Sequence, residues 1–84
     1  MKNLEKDMRV WVQLGKSREA GILLDWAFCS EGDYYGCKVE LLKVNPFAPD
    51  QLLRQVYLRP IPSYKLTKRV EVLPGEEVHG ASTV

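Results

Sequence analysis

The chain has 84 residues, 45% of them hydrophobic, and 12 lysines and arginines against 11 aspartates and glutamates give a formal net charge of +1. This length is enough for one domain and excludes a second hydrophobic core. The balanced charge gives the whole molecule no long-range attraction to nucleic acid or to an anionic membrane, so such binding would need a local patch.

The N-terminal residues 1–7 are not typical of a secretory signal, because no apolar core follows their lysines. The longest apolar stretches, such as residues 20–24, are too short to span a bilayer. We therefore expect a cytoplasmic protein that does not bind membranes.

Alternation of apolar and polar residues predicts five short strands separated by turn residues. The predicted strands span residues 8–14, 20–28, 35–41, 56–61 and 69–73. In the second strand the even-numbered residues from Ala20 to Phe28 are expected to face the core. In the third strand the odd-numbered residues from Tyr35 to Leu41 have this role.

The segments between these strands carry glycines, prolines and polar residues. Glycine-containing turns are predicted at 15–18 and 30–33. The prolines of residues 45–50 predict a loop, which 51–55 continue either as one helical turn or as strand. Residues 63–66 favour a single 3₁₀ turn. The predicted organisation is therefore an N-terminal lead at 1–7, a barrel at 8–73 and a flexible C-terminal tail at 74–84.

Strands this short can bury one apolar face by curling into a barrel or a two-layer sandwich. Their order over residues 7–73 resembles that of SH3-like barrels, and Ile61-Pro62-Ser63-Tyr64 is similar to the stretch before the last strand of signalling SH3 domains. The resemblance implies an all-β, five-stranded SH3-like barrel with one short 3₁₀ turn before the last strand. Lys16 and Arg18 replace the acidic loop of those domains, so the resemblance extends to the architecture and not to their ligand.

A second resemblance is carried by Gln55-Val56-Tyr57, which is similar to the Gln-Ile-Tyr stretch lining the central pore of type II dihydrofolate reductases. Those enzymes are short SH3-like chains that assemble as tetramers. Val12 stands about where they place a pore lysine. The resemblance implies a homo-oligomer and, as one alternative, an oligomeric enzyme with a pore site shared between subunits.

Aromatic residues fall at several positions that the alternation leaves outside the core or in turns. Their rings lose little side-chain entropy on contact and dominate binding surfaces. They predict a surface that binds a protein partner or a second copy of the chain, although one or two of them could instead cap the core. The predicted partner-binding residues are Trp11, Tyr34, Phe47, Tyr57 and Tyr64.

The second half of the chain is more basic than the first. There, cations are interleaved with aromatic residues. This combination resembles sites that bind single-stranded nucleic acid, in which cations contact the phosphates and aromatic rings stack on the bases. Glu71, Glu76 and Glu77 follow at once, so a solvated surface of mixed charge is the simpler interpretation. The candidate nucleic-acid-binding residues are Arg54, Arg59, Lys65, Lys68 and Arg69.

The predicted loop at 45–55 combines prolines with the apolar side chains of Phe47, Leu52 and Leu53. Long loops in small domains often carry function, and apolar ones must be covered. The loop therefore either covers the open end of the barrel or contacts a partner.

Catalytic and metal chemistry have few candidates. His79 is the only histidine and lies in the predicted tail. Cys29 and Cys37 flank a predicted turn and could face one another, but a reducing cytosol favours thiols, and tetrahedral zinc needs more ligands. We therefore predict no catalytic residue, metal or cofactor. The leading hypothesis is a non-enzymatic interaction module.

Overall fold

The computed structural model describes residues 3–29 and 34–76, which form six strands and one short 3₁₀ turn. The strands are β1 (Arg9–Leu14), β2 (Ser17–Cys29), β3 (Tyr34–Asn45), β4 (Ala48–Val56), β5 (Ile61–Pro62) and β6 (Leu66–Lys68). The 3₁₀ turn, Ser63–Lys65, separates β5 from β6. The all-β class and the predicted 3₁₀ turn are confirmed. Nowhere in these residues does a helix have the length and apolar character needed to cross a membrane.

The strands form one antiparallel sheet in the order β4-β3-β2-β1-β6, and β5 pairs with β3 beyond the end of β4. The hydrogen-bonded path is open, with β4 at one end and β6 at the other. The predicted count of five strands is wrong, because residues 48–56, most of which were predicted as a loop, form the additional strand β4.

The hydrophobic core lies on one face of the sheet, which we call the core face. Its buried residues are Val10, Val12, Leu23, Cys37, Val39, Leu41, Ile61 and Leu66. Each fully buried aliphatic side chain of this size contributes about 1.5–3 kcal/mol relative to its exposed state. The alternation predicted for β1 is confirmed, since Val10 and Val12 have no exposed surface.

A β-bulge in β2 changes which of its residues face the core. The register shifts between Leu23 and Asp25, so that Leu24 is an extra residue and side chains before and after it exchange faces. Leu23 and Trp26 therefore both pack on the core face. The predicted inward orientation of Ile22 and Leu24 is wrong, because both line a groove on the opposite face.

The predicted loop is wrong at residues 48–50, and for residues 51–55 the strand alternative is confirmed and the helical turn is wrong, since residues 48–56 form β4. The turn is short because the Asn45 side-chain oxygen accepts a hydrogen bond from the Phe47 N–H at 3.0 Å. Val44 pairs with Leu52, whereas the next residue of β3 pairs with Ala48. Residues 49–51 of β4 therefore have no partner in β3, and the bulge accommodates Pro49 without the loss of a ladder hydrogen bond.

The predicted fourth and fifth strands, 56–61 and 69–73, are also displaced. β4 ends at Val56, and the next strand, Ile61–Pro62, has only two residues. β6 pairs with β1 over Leu66–Lys68, three residues earlier than predicted. The chain leaves the sheet at Arg69, because the side chain of this residue turns into the protein.

The residues after β6 run across the opposite face of the sheet, which we call the second face. The Arg69 N–H donates to the Arg9 carbonyl of β1 at 3.0 Å. Gly75 has a φ of +81° and packs so closely on the backbone of Asp50 in β4 that a Cβ would overlap it. We call residues 69–76 the C-terminal segment. The predicted turn at 30–33 and the predicted tail from residue 77 onward, including His79, lie outside the described residues.

Candidate functional site

A buried ion pair holds the C-terminal segment to the sheet. Arg69 is only 2% exposed. Its Nη1 and Nη2 donate to the two carboxylate oxygens of Glu76 at 3.0 and 2.8 Å. Further hydrogen bonds run from its guanidinium to the carbonyls of Val10, Gly21 and Glu71. We call the Arg69–Glu76 pair the clasp.

The Glu76 carboxylate has three sources of positive charge or hydrogen bonding around it. Burial alone would raise the pKa of Glu76, but the hydrogen bonds from Arg69 and Leu73 and the charges of Arg69 and Arg9 lower it below its ordinary value. The Arg9 Nε lies 3.4 Å from the carboxylate. Glu76 is therefore ionised at neutral pH and balances the buried guanidinium.

The clasp was missed by sequence reasoning, which placed Arg69 on a cationic surface and Glu76 in a flexible tail. The alternation of Val70 and Val72 with charged residues suggested a strand here. These valines are exposed instead. Seven positions separate the two partners, and no strand or helix spacing would have connected them.

A groove of about 530 Å³ lies on the second face beside the clasp. Its charged lining residues are Asp7, Arg9, Glu40, Arg54, Lys68, Arg69 and Glu76. Arg54 donates to Glu40 at 2.9 Å. Lys68 is exposed and has no ion-pair partner within residues 3–29 and 34–76. Among the described residues, Lys68 and Asp7 are therefore the charged groups of this groove outside an ion pair.

The groove brings together three of the five residues predicted to bind nucleic acid, namely Arg54, Lys68 and Arg69. Arg59 lies elsewhere, in a second groove near the end of β4. Lys65 is exposed in the 3₁₀ turn. The five cations therefore do not form one continuous basic stripe.

Trp11, one of the predicted partner-binding aromatics, contacts cations of its own chain. It is half-buried and lies opposite Ala20 in β2 and Thr67 in β6. The Arg18 guanidinium carbon lies 4.3 Å from the centre of its ring, and that of Arg69 lies at 5.8 Å. Such cation–π contacts hold the ring against the protein and limit the area available to a partner.

Phe47 occupies the tip of the β3–β4 hairpin and is 96% exposed. The β2–β3 register begins at Ala20 and Leu42, so residues 43–53 extend beyond the part of β3 that β2 supports. We call residues 43–53 the projecting hairpin. Val44 and Leu53, which it also carries, are half exposed. This hairpin therefore presents three large apolar side chains to solvent.

The other end of β4 leads into the second groove, of about 350 Å³. Tyr57 packs against the core and its N–H donates to the Val39 carbonyl at 2.8 Å. Leu58, beside it, is 93% exposed. The bulge at residues 49–51 shortens β4, so Phe47 and Tyr57 are roughly 20 Å apart along the strand. Gln55, which precedes Tyr57 in the segment that resembles a pore lining, is exposed on β4.

The predicted aromatic residues therefore do not meet in one patch within a single chain. Tyr64 is exposed in the 3₁₀ turn. Tyr34 begins β3, and its side chain lies outside the described part of the structure. Leu58 was not predicted as a site residue, although a leucine between a tyrosine and an arginine, followed by a proline, was a visible signal.

The two cysteines are not opposite one another in the sheet. Cys37 pairs with Trp26, and Cys29 pairs with Tyr34. This offset of three residues corresponds to about 10 Å, more than a disulfide can span. Burial raises the pKa of the Cys37 thiol above its ordinary value. Among the described residues, no three His, Cys, Asp or Glu side chains are placed to hold a metal ion together.

Comparison with known proteins gives no family assignment. No family model matches the chain, and no curated protein or solved structure is significantly similar to it. What the protein does must therefore be inferred from its own residues.

Proposed function

We propose that the protein is a small non-enzymatic binding module that associates with another protein surface through its projecting hairpin. The observation that carries this proposal is the near-complete exposure of Phe47 at the hairpin tip. A large aromatic side chain held out by a tight turn is typical of a binding anchor. Transfer of a phenylalanine side chain from water to an apolar contact stabilises a complex by about 1.5–3 kcal/mol.

The structure around Phe47 supports the same proposal. A two-stranded ribbon is marginally stable by itself, and β2 does not support the projecting hairpin. Val44 and Leu53 are half exposed on opposite faces of this ribbon. A partner that covers the hairpin would therefore bury apolar surface and stabilise the strand pairing at the same time.

We further propose that the sheet is an SH3-like barrel. β5 pairs with β3 and β6 pairs with β1, and only the Ser63–Lys65 turn lies between β5 and β6. In this proposal the short stretch crosses the open side of the core face, as the last strands of an SH3-like barrel do. Such closure would leave the outer surfaces and the projecting hairpin for binding. The cytoplasmic location stays a prediction.

Sedimentation velocity and affinity capture test the binding function, with wild-type protein compared with Phe47→Ser. We expect Phe47→Ser to lose association with itself or with a captured protein while its thermal unfolding is unchanged, since the ring contacts solvent. The matched control is Val70→Ser, because Val70 is 77% exposed but lies on the C-terminal segment. Equal association by all three proteins would contradict the role of the hairpin.

A second candidate is nucleic-acid binding at the groove on the second face, favoured by the convergence of Arg9, Arg54 and Lys68 there. Three carboxylates in the same lining weigh against it. If the groove binds single-stranded nucleic acid, the affinity should fall steeply with added salt and Lys68→Glu should abolish it. Absence of binding at low salt would exclude this function.

The oligomeric enzyme suggested by Gln55-Val56-Tyr57 stays a prediction. It would require several subunits to bring these segments around one pore. A protein that remains monomeric in solution would contradict it.

A further inference from the structure

Residues 57–60, between β4 and β5, curve away from the sheet. Val56 of β4 pairs with Glu40 of β3, and Ile61 of β5 pairs with Cys37 of the same strand. These two pairs leave two residues of β3 opposite the four residues of 57–60. A regular antiparallel ladder pairs residues one to one, so the extra residues must curve outward. We call residues 57–60 the outward loop.

The outward loop is held in place at both ends. The Tyr57 N–H donates to the Val39 carbonyl at 2.8 Å. At the other end Pro60 packs on Gly36 so closely that a Cβ on the glycine would lie 3.3 Å from the Pro60 Cβ. The proline fixes its own φ and restricts Arg59 before it to extended conformations. The second groove, between this loop and β3, is therefore largely formed before a ligand binds, which lowers the cost of ordering it.

The charged side chains of the second groove are cationic. Lys38 of β3 and Arg59 of the outward loop line it, and its described lining contains no acidic residue. Neither cation has an ion-pair partner within residues 3–29 and 34–76. Asp25 lies opposite Lys38 in β2, but its carboxylate accepts a hydrogen bond from the Trp26 N–H at 2.9 Å. The groove beside the clasp, in contrast, has three carboxylates in its lining. The second groove therefore favours a negatively charged ligand.

Apolar side chains form the rest of this lining, namely those of Val56, Tyr57, Leu58 and Pro60. Tyr57 packs against the core, whereas Leu58 is 93% exposed and so contacts almost nothing in its own chain. Sites for free small molecules bury most of the ligand surface. A groove of about 350 Å³ with an exposed leucine at its side suits one large apolar side chain of a protein segment instead.

We propose that the second groove is a docking site for an acidic segment of a partner protein. An apolar side chain of this segment packs against Tyr57 and Leu58, and carboxylates on either side of it bind Lys38 and Arg59. Single-stranded nucleic acid fits less well, because it needs cations along several successive phosphates and this groove has two. The site lies at the opposite end of β4 from Phe47 and does not depend on the function proposed for the projecting hairpin.

Selection from a phage-displayed library of random peptides tests the chemistry of the ligand. Wild-type protein and the double variant Lys38→Gln, Arg59→Gln are each immobilised and used for selection. We expect the wild type to enrich peptides in which acidic residues flank an apolar residue, because both parts of the groove are then occupied. The double variant should lose the preference for acidic residues. Enrichment of peptides without acidic residues, or of no peptide at all, overturns the docking site.

Fluorescence anisotropy with one enriched peptide, labelled, measures the separate contacts. Leu58→Ser and the double charge variant should each raise the Kd by about tenfold. Added salt should raise the Kd of the wild type as well, since the cations are exposed. The matched controls are Lys65→Gln and Phe47→Ser, which change an exposed cation and an exposed apolar side chain outside this groove. Both controls should leave the Kd unchanged, and thermal unfolding verifies that each variant is folded.

The same titration distinguishes the second groove from the projecting hairpin. A Kd that Phe47→Ser raises and Leu58→Ser does not would assign the peptide to the hairpin, which overturns this docking site and leaves the proposed function standing. A Kd that Leu58→Ser raises supports the docking site even if Phe47→Ser changes no protein association, a result that refutes the role of the hairpin alone. A labelled single-stranded oligonucleotide that binds in place of any peptide, and is lost in the double charge variant, would show a nucleic-acid site and overturn the acidic segment.

Discussion

Substitution of Glu76 by Gln should strongly destabilise the protein, because it leaves the buried Arg69 without its counter-charge. The two carboxylate oxygens accept hydrogen bonds from the guanidinium at 3.0 and 2.8 Å, and Arg69 is 2% exposed. Removal of one partner of a buried ion pair typically costs about 3–5 kcal/mol. Three backbone carbonyls still accept hydrogen bonds from Arg69 after the substitution. We therefore expect a loss of about 3 kcal/mol, at the lower end of that range.

This loss is large for a domain of 84 residues, whose free energy of unfolding is roughly 4–13 kcal/mol. It corresponds to a decrease in Tm of roughly 12–24 °C. Urea unfolding monitored by tryptophan fluorescence measures it directly, since Trp11 lies beside the clasp and Trp26 packs on the core face. Glu71→Gln is the matched control, because the Glu71 carboxylate is exposed and, within residues 3–29 and 34–76, accepts a hydrogen bond only from the adjacent N–H of Val70.

The pH dependence of the unfolding free energy shows whether the charge of Glu76 or its packing causes this loss. The pKa of Glu76 in the folded protein is below its ordinary value of 4.5. Its ionisation therefore stabilises the fold fully above that ordinary value, and the contribution is lost as the pH falls through the lowered pKa. The difference in unfolding free energy between wild type and Glu76→Gln should approach zero in acid. A loss below about 1 kcal/mol at neutral pH, or one that persists undiminished in acid, would refute the assigned role of the clasp.

Two glycine substitutions test close packing. Gly21→Ala should destabilise the fold by about 1–3 kcal/mol, because its Cβ would lie 2.6 Å from Val39 Cγ1; unchanged urea unfolding would contradict this. Gly75→Ala should release the C-terminal segment and speed its hydrogen exchange, because its Cβ would overlap the Asp50 carbonyl at a φ of +81°. Gly15→Ala is the control, since Gly15 has a φ of +61° but no atom lies near the position of its Cβ. If Gly15→Ala and Gly75→Ala have equal effects, backbone strain alone explains the effect at Gly75, and the role of the contact with Asp50 is contradicted.

The alternating strands were predictable where the ladder is regular. In β1 the period of two identifies Val10 and Val12 as core residues, and in β3 it identifies Val39 and Leu41. In β2 the expected inward orientation holds at Trp26 but fails at Ile22 and Leu24, because a bulge inserts one residue and exchanges the faces of the side chains before and after it. Residue type alone does not show that a bulge is present.

The prolines of residues 45–50 favoured a loop where the structure has the start of β4, and here too a bulge explains the difference. Pro46 lies in the turn and Pro49 lies in a bulge, so neither removes a hydrogen bond that the sheet needs. Phe47 was identified as a candidate binding residue from the same segment. The clasp was not predictable, because it depends on a tertiary contact of Arg69 that no local pattern records.

The joining of β1 to the residues after β6 has a consequence for biosynthesis. The guanidinium of Arg69 bonds the carbonyl of Val10, a partner 59 positions earlier in the chain. Contacts of such high sequence separation slow folding, since the intervening chain must be ordered before they form. The contacts of β1 therefore cannot be completed until Arg69 has been synthesised, and the clasp forms late in folding.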